Sequence, residues 1–469
     1  MGRLTQMCAL PMLGLLHACT SYQPAPIDPE YSAGQFAARR LEDPRLRTDV
    51  ANLMPQADSS WPPQQWDRGE LLAIAMVRNS ELAVARTQVQ SARAQEVTAR
   101  QWLNPDMTLQ SEYGARGEPH PWLYGVAFDY VLQSPARRRL EQHVAGLAVE
   151  TARLQLMDRI WSLRQELVTA LSDWESAKRR LALLDQLASV QDRGLALERR
   201  RIDAGEDSSN ELVLVEQARL QTEQQQAQSR LAASVARAAA AKELGVPPEA
   251  LDGVKLDWPE WGAPPPITDE DVRALKDRAL RSRADLGAAM SDYSIAEDRF
   301  KLAVKRQYPE LIVGPGYYWD HGISKFPLDL GFSLPFNGNR GEIAEARAAR
   351  EVAGARMLTL QADILGQIAS AARAEDLARA AADTAGRHLE NAQRQATQRD
   401  LGQRLGESDV FEGVETETLA IRAGLEVLEM RSQWQAARNQ LEDALHSPLS
   451  GPELAIANSA DAINTGAGS

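Results

Sequence analysis

Side chains able to do chemistry are few in this sequence, and none of them stands in a catalytic pattern. The 469 residues hold two cysteines, Cys8 and Cys19, and six histidines. His120 and His321 fall where short hairpins would turn, and His143, His388 and His446 are spaced singly along helical stretches. They read as structural or solvated residues, and no metal site is assigned. There is no phosphate loop, nucleophile elbow or HExxH motif, and no carboxylate pair in a pocket context. Nothing supports an enzyme, and no cofactor is expected. Two groups point to other chemistry. Cys19 closes Leu16-His17-Ala18-Cys19 behind Arg3 and the apolar run from Met7 to Leu16, the pattern of a lipoprotein signal. Cleavage before Cys19 would leave a lipidated, palmitate-bearing N-terminus, and Thr20 behind it favours the outer membrane. The second group is Glu112, Asp129 and Asp329, which lie in segments whose residues alternate between two faces.

Those segments are two short hairpins. In 311–319 and 328–336 one face carries Leu311, Val313, Tyr317, Trp319, Leu328, Leu330, Phe332, Leu334 and Phe336. The other carries Gly314, Gly316, Asp329, Gly331 and Ser333, a period of two. In 107–114 and 124–132 the pattern recurs, with Met107, Leu109, Tyr124 and Phe128 against Thr108, Gln110, Glu112 and Asp129. Strands of this length, apolar outside and polar inside, are what a membrane barrel requires, and Glu112, Asp129 and Asp329 would wet its lumen.

The hairpins are two copies of one unit. Pro309 and Pro105 are 204 residues apart (309 − 105), as are Phe332 and Phe128 and the Ala279 and Ala75 segments upstream. Residues 1–18 read as a signal peptide and 19–66 as a lipidated arm. The first repeat spans 67–245, with its hairpin at 107–132, a long helix, a tip at 204–210 and a return helix. A proline-rich linker, 246–267, leads to the second repeat, 268–448, with its hairpin at 311–336 and tip at 405–411. Residues 449–469 are a small-residue tail expected to be disordered. From 136 to 203 there is no proline, and Ile160, Leu163, Leu167, Ala170, Trp174, Ala177 and Leu181 follow alternating steps of three and four. That heptad seam implies a rod of about 100 Å. The first helix of each repeat is expected to run unbroken, from about Trp66 to Trp102 and from about Thr268 to Arg306.

The net charge of −13, without a basic stripe, makes nucleic acid an unsuitable partner. No run of eighteen apolar residues occurs, which excludes a conventional transmembrane helix and leaves a barrel open. Four strands cannot close a sheet, and open edges in lipid leave backbone groups unpaired at several kcal/mol each. Several chains must therefore pool their strands. Two would give eight, a barrel filled by its own side chains, so an open passage favours three.

From about Trp66 to Pro448 the chain resembles the TolC family of outer-membrane efflux ducts. The likeness rests on the exit Ser333-Leu-Pro-Phe-Asn-Gly-Asn-Arg340-Gly341, the tip patterns Gly205-x-x-Ser208-x-x-Glu211 and Gly406-Glu-Ser-Asp-Val-Phe-Glu412, and above all the ordered duplication. The exit is similar to that of the heavy-metal and cation branch. The resemblance implies a mainly α fold with a small membrane β-barrel. It also implies a homotrimeric duct of four strands and four helical staves per chain, anchored in the outer membrane and reaching into the periplasm. It would conduct substrates passively, with a periplasmic adaptor and an RND-type inner-membrane pump as partners. In the family a ring of aspartates narrows the periplasmic entrance; its places here hold the longer Glu412 and Glu415, with Glu211 as the first-repeat equivalent. Gly205, Ser208, Gly406 and Ser408 would meet the adaptor. The bracing arginine and aromatic of the family are replaced by Ser408 and Gln403, with Arg201 and Arg404 nearby. The competing reading is a periplasmic coiled-coil lipoprotein scaffold without a pore.

Overall fold

The computed structural model describes residues 22–54, 60–114, 117, 119–206, 208–332, 334–405 and 410–454. Cys19, Gly406 and Ser408 lie outside the described residues. The chain is mainly helical. In order it runs α1 (Pro29–Ala37), α2 (Pro44–Leu53), β1 (Trp66–Asp67), α3 (Arg68–Arg78), α4 (Ser80–Arg100), β2 (Asp106–Tyr113), β3 (Trp122–Leu132), α5 (Pro135–Asp203) and α6 (Ser209–Leu244). It continues with β4 (Leu256–Asp257), α7 (Asp269–Ser282), α8 (Ala284–Lys305), β5 (Leu311–Asp320), β6 (Ile323–Lys325), β7 (Leu328–Phe332), α9 (Arg340–Leu405) and α10 (Val410–Leu445).

The arm contains two short helices. Asp28 and Asp43 cap helices whose first residues are Pro29 and Pro44, where a missing N–H costs nothing. Through Leu41, Leu46, Val50 and Met54 the arm enters the main core, where it meets Leu71 and Ile74 of α3, Leu163, Leu167 and Leu171 of α5, and Val246, Leu251, Trp258 and Trp261 of the linker. The linker is thus part of the packing, and β4 pairs in parallel with β1. Beyond the second repeat, Leu449 packs on the smaller core of α7, α9 and α10, and Glu453 is buried beside Arg68. Residues 449–454 are therefore ordered against the protein, in contrast to the expected disordered tail; 455–469 lie outside the described residues.

Neither first helix is continuous. Asn79 leaves the helical region at φ −65°, ψ 127°, and its side-chain oxygen accepts from the backbone N–H groups of Glu81 and Leu82 at 2.9 and 3.1 Å. Its amide donates to the carbonyl of Glu243 at 3.0 Å. Arg283, 204 residues on (283 − 79), has φ −64°, ψ 128° and donates to the carbonyl of Ala444, the residue 201 beyond Glu243. Both halves close by the same hydrogen bond between a kink and the end of the return helix.

The long helices lie side by side. α5 packs on α6 and α10, and α10 packs on α9, so the tip half of the chain is a wall in the order α6, α5, α10, α9. Nearer the strands the order is α4, α5, α8, α9. Polar pairs cross between staves: Arg180 to Glu429 at 2.9 Å, Arg219 to Asp192 at 2.8 Å, Arg199 to Glu216 at 3.1 Å. Deep between α9 and α10, Glu375 accepts from both Arg438 at 2.7 Å and Trp434 at 2.8 Å, and Arg438 also donates to the Pro265 carbonyl.

Candidate functional site

The strands form one antiparallel sheet in the order β2, β3, β5, with β7 and then β6 along the far side of β5. β7 ends at Phe332. The strand expected to 336 stops sooner because Pro335 has no N–H for a ladder, and the Phe336 amide folds back to the Leu334 carbonyl at 3.0 Å. One face is apolar and bare: Leu109 is 71 % exposed and Leu330 is 61 % exposed, with Met107, Tyr124, Phe128 and Phe332 beside them. A soluble sheet would bury that face.

The opposite face carries the carboxylates. Asp106 pairs directly with Asp129, and Gly314 pairs with Asp329. A Cβ on Gly314 would lie 2.8 Å from Asp129 Oδ1 and 3.2 Å from Asp329 Cβ, so both side chains lean over the glycine. Asp106, Asp129 and Asp329 therefore form one transverse row on a single face. Asp106 was not singled out from the sequence, although its even number places it with Thr108, Gln110 and Glu112. Glu112 stands apart, opposite Leu123 at the other end of the strand. Higher up, the Tyr318 ring lies across Gly125, where a Cβ would come within 2.1 Å of it. The polar face is not purely polar, since Leu123, Val131 and Ile312 share it by alternation.

Both the sheet and the helical wall end in unlike edges. β2 is open on one side of the sheet, β7 and β6 on the other. α6 exposes Val213, Leu214, Leu220, Leu231 and Val235 at one margin of the wall, and α9 exposes Leu358, Leu377, Leu401 and Leu405 at the other. Unlike edges can join head to tail, which closes a ring of two or more copies or grows a filament.

At the tips, Gly205 ends α5 with φ +74°, a left-handed conformation that suits glycine, and Ser208 precedes α6. Glu211 and Glu415 are exposed, near the starts of α6 and α10. Glu412 has a counter-ion, accepting from Arg399 of α9 at 2.8 Å. Of the two arginines near the tips, Arg404 pairs within its own helix with Asp400 at 2.7 Å. Arg201 lies over the Phe411 ring at 5.2 Å, linking the tip of the first half to that of the second. Of the histidines expected to stand alone, His143 meets Asp298 and His388 meets Glu426. Among the described residues no helix is long and apolar enough to cross a membrane.

A bare apolar strand face, a polar face behind it and a helical wall with unlike margins have the fold of an outer-membrane channel subunit. Residues 71–246 match the family model described as outer membrane efflux protein. Solved structures agree over most of the chain. The outer membrane protein VceC of Vibrio cholerae superposes with a TM-score of 0.66 at 14 % identity, covering 82 % of this chain and 97 % of that one. The CmeC outer membrane channel of Campylobacter jejuni gives 0.66 at 13 % identity, with coverage of 83 % and 88 %. The open state of the MtrE outer membrane channel of Neisseria gonorrhoeae gives 0.65 at 16 % identity, with 81 % and 89 %. No curated relative matches the sequence. Over residues 71–246 the chain is similar to the outer membrane efflux protein family, and over most of its length it shares the fold of these solved channels.

Proposed function

We propose that three copies of this chain join edge to edge into a duct that conducts exported compounds from the periplasm across the outer membrane. The observation carrying this reading is that sheet and wall end in unlike edges on the same chain, each apolar or unpaired. β2 of one copy would extend the sheet of the next beside β7, and the α6 margin would cover the α9 margin, giving twelve strands and twelve staves. The apolar strand face would meet lipid and the aspartate row would face water. Conduction is passive: the chain supplies a wetted passage, and the compound exported is chosen by an inner-membrane RND-type pump joined through a periplasmic adaptor. The adaptor would engage Gly205, Ser208, Gly406 and Ser408. Glu211, Glu412 and Glu415 would line the narrow end, with Arg399 holding Glu412 until the tips part. Lipid on Cys19 would fix the arm to the inner leaflet of the outer membrane.

A mixing experiment tests the arrangement. Leu220→Glu with Leu231→Glu blocks the α6 margin, and Leu377→Glu with Leu401→Glu blocks the α9 margin. All four are more than half exposed in the single chain, so its fold should tolerate them. Each variant alone should be monomeric in detergent and give no channels in planar bilayers. Mixed, they should stop at a pair, because only one intact α6 margin can meet one intact α9 margin. Trimers and normal conductance from either variant would refute the reading.

A further inference from the structure

Midway along the wall, away from both strands and tips, three side chains from distant parts of the sequence converge. Asp158 comes from α5, Asp285 from the first turn of α8, and His446 is the residue just after the end of α10. One ligand atom of each lies within 4.8 Å of the other two. Read singly along the sequence, His446 gave no metal site; the fold supplies its neighbours.

Two of the three have nothing else to do. Among the described residues no hydrogen bond or ion pair reaches the Asp158 carboxylate, whose backbone carbonyl alone accepts from Ser162. The His446 ring stacks on Trp161 at 5.3 Å and 23°, with neither ring nitrogen bonded. Asp285 is held by Arg283, through Nε at 3.0 Å and Nη2 at 2.6 Å, and by the Leu286 amide at 2.8 Å. Its Oδ2 takes only one of these and keeps a lone pair free. All three residues are half-buried and their polar atoms remain within reach of water, so an ion could enter and keep water in its shell.

The chemistry of the set selects that ligand. Burial lowers the His446 pKa to about 4, so the ring is neutral near pH 7 and offers a lone pair. Burial, and then the charge of Asp285, push the Asp158 carboxyl up. Asp158, Asp285 and Asp443 stand against Arg283, leaving two negative charges; Arg159 is occupied by Glu81 and Glu166. His446 also holds φ +47° at the position where the first half has Gly245 (446 − 245 = 201), so its side chain is kept where glycine would sit without strain.

We propose that Asp158, Asp285 and His446 bind one divalent transition cation of the zinc class per chain, through two carboxylate oxygens and one imidazole nitrogen, with water completing the shell. Such bonds are about 2.0–2.2 Å long and place tetrahedral ligands about 3.4 Å apart, so small side-chain rotations bring this set together. Two carboxylates and an imidazole suit Zn2+, Co2+ or Mn2+ over soft Cu(I). The ion would clamp α5 of the first half to the kink and the closing end of the second. This goes beyond the duct reading and stands or falls without it.

The full-length protein, purified in detergent and stripped with a chelator, is titrated with Co2+ while its visible d–d bands are followed, then with competing Zn2+. One Co2+ per chain, displaced by Zn2+, is expected. Asp158→Asn and His446→Gly should each weaken binding at least about tenfold. The second variant relaxes the backbone, so its thermal unfolding midpoint without metal should not fall, which separates lost ligation from lost fold. Absence of saturable Co2+ binding, or equal binding by both variants, overturns the proposal.

Discussion

Neutralising the aspartate row, as Asp106→Asn, Asp129→Asn and Asp329→Asn together, should remove most of the cation preference of the channel at low salt and almost none at high salt. The size of the effect follows from geometry. Twelve strands about 4.8 Å apart and tilted about 40° enclose a barrel of backbone radius about 12 Å, so carboxylates reaching inward by about 3 Å lie about 9 Å from the axis. The row has three aspartates per chain, hence nine in a trimer. At a dielectric constant of about 80, each attracts an axial monovalent cation by about 0.5 kcal/mol, about 4 kcal/mol for the ring. Screening over a Debye length of about 8 Å at 0.15 M leaves about 1.3 kcal/mol, and over about 3 Å at 1 M about 0.2 kcal/mol. Because anions are repelled by what cations gain, the cation-to-anion ratio in the plane of the ring is about eighty at 0.15 M and about two at 1 M. Reversal potentials across planar bilayers, under salt gradients centred on each concentration, read this directly. Unchanged selectivity of the triple variant at 0.15 M, or a loss of the same size at both concentrations, would refute the placement of the row on the water side.

Three further outcomes are expected. Glu375→Ala removes the one carboxylate that, among the described residues, pairs with Arg438, whose side chain is 2 % exposed, and should destabilise the chain by about 3–5 kcal/mol in denaturant titrations. Pairing it with Arg438→Leu should recover most of the loss. Arg399→Ala, by freeing Glu412, should raise block of the tip entrance by divalent cations in single-channel recordings, and adding Glu412→Gln should abolish that increase. Asp298 is held below the usual carboxylate range: its partial burial works the other way, and the hydrogen bonds from His143 and Lys301 outweigh it. A depressed folded pKa stabilises the fold above the unfolded value near 3.8 and is lost as pH falls through the folded one, so unfolding midpoints should drop below about pH 4 and Asp298→Asn should flatten that drop.

Those features of the fold governed by periodicity were legible in the sequence. Alternation located the sheet because one face had to be apolar over its whole length, and the heptad seam beginning at Ile160 located α5 because a rod packed along one side repeats every three to four residues. What escaped was governed by single side chains acting on backbone. The breaks at Asn79 and Arg283 interrupt helical patterns whose apolar spacing barely changes, although Asn79 followed by Glu81 is a capping signal in the middle of a run. Asp28-Pro29 and Asp43-Pro44 are helix starts that looked like loop composition. The partners of Glu412 and His388 come from neighbouring staves, and spacing along one helix carries no information about them.

Duplication explains why His446 differs from its counterpart. Each half presents an acid two residues after its kink: Glu81 after Asn79 and Asp285 after Arg283. The first acid sits on α4, at the margin of the wall, and is met by Arg159 of α5. The second sits on α8, an inner stave packed against both α5 and α9, and faces Asp158 of the same α5. Equivalent positions in the repeat thus occupy inequivalent surroundings, one open to water and answered by a single arginine, the other enclosed and crowded with negative charge. A glycine cap suffices at the first. At the second, closing the helix with a histidine puts an imidazole beside two carboxylates of which Arg283 answers only one, the arrangement on which the proposed cation site rests.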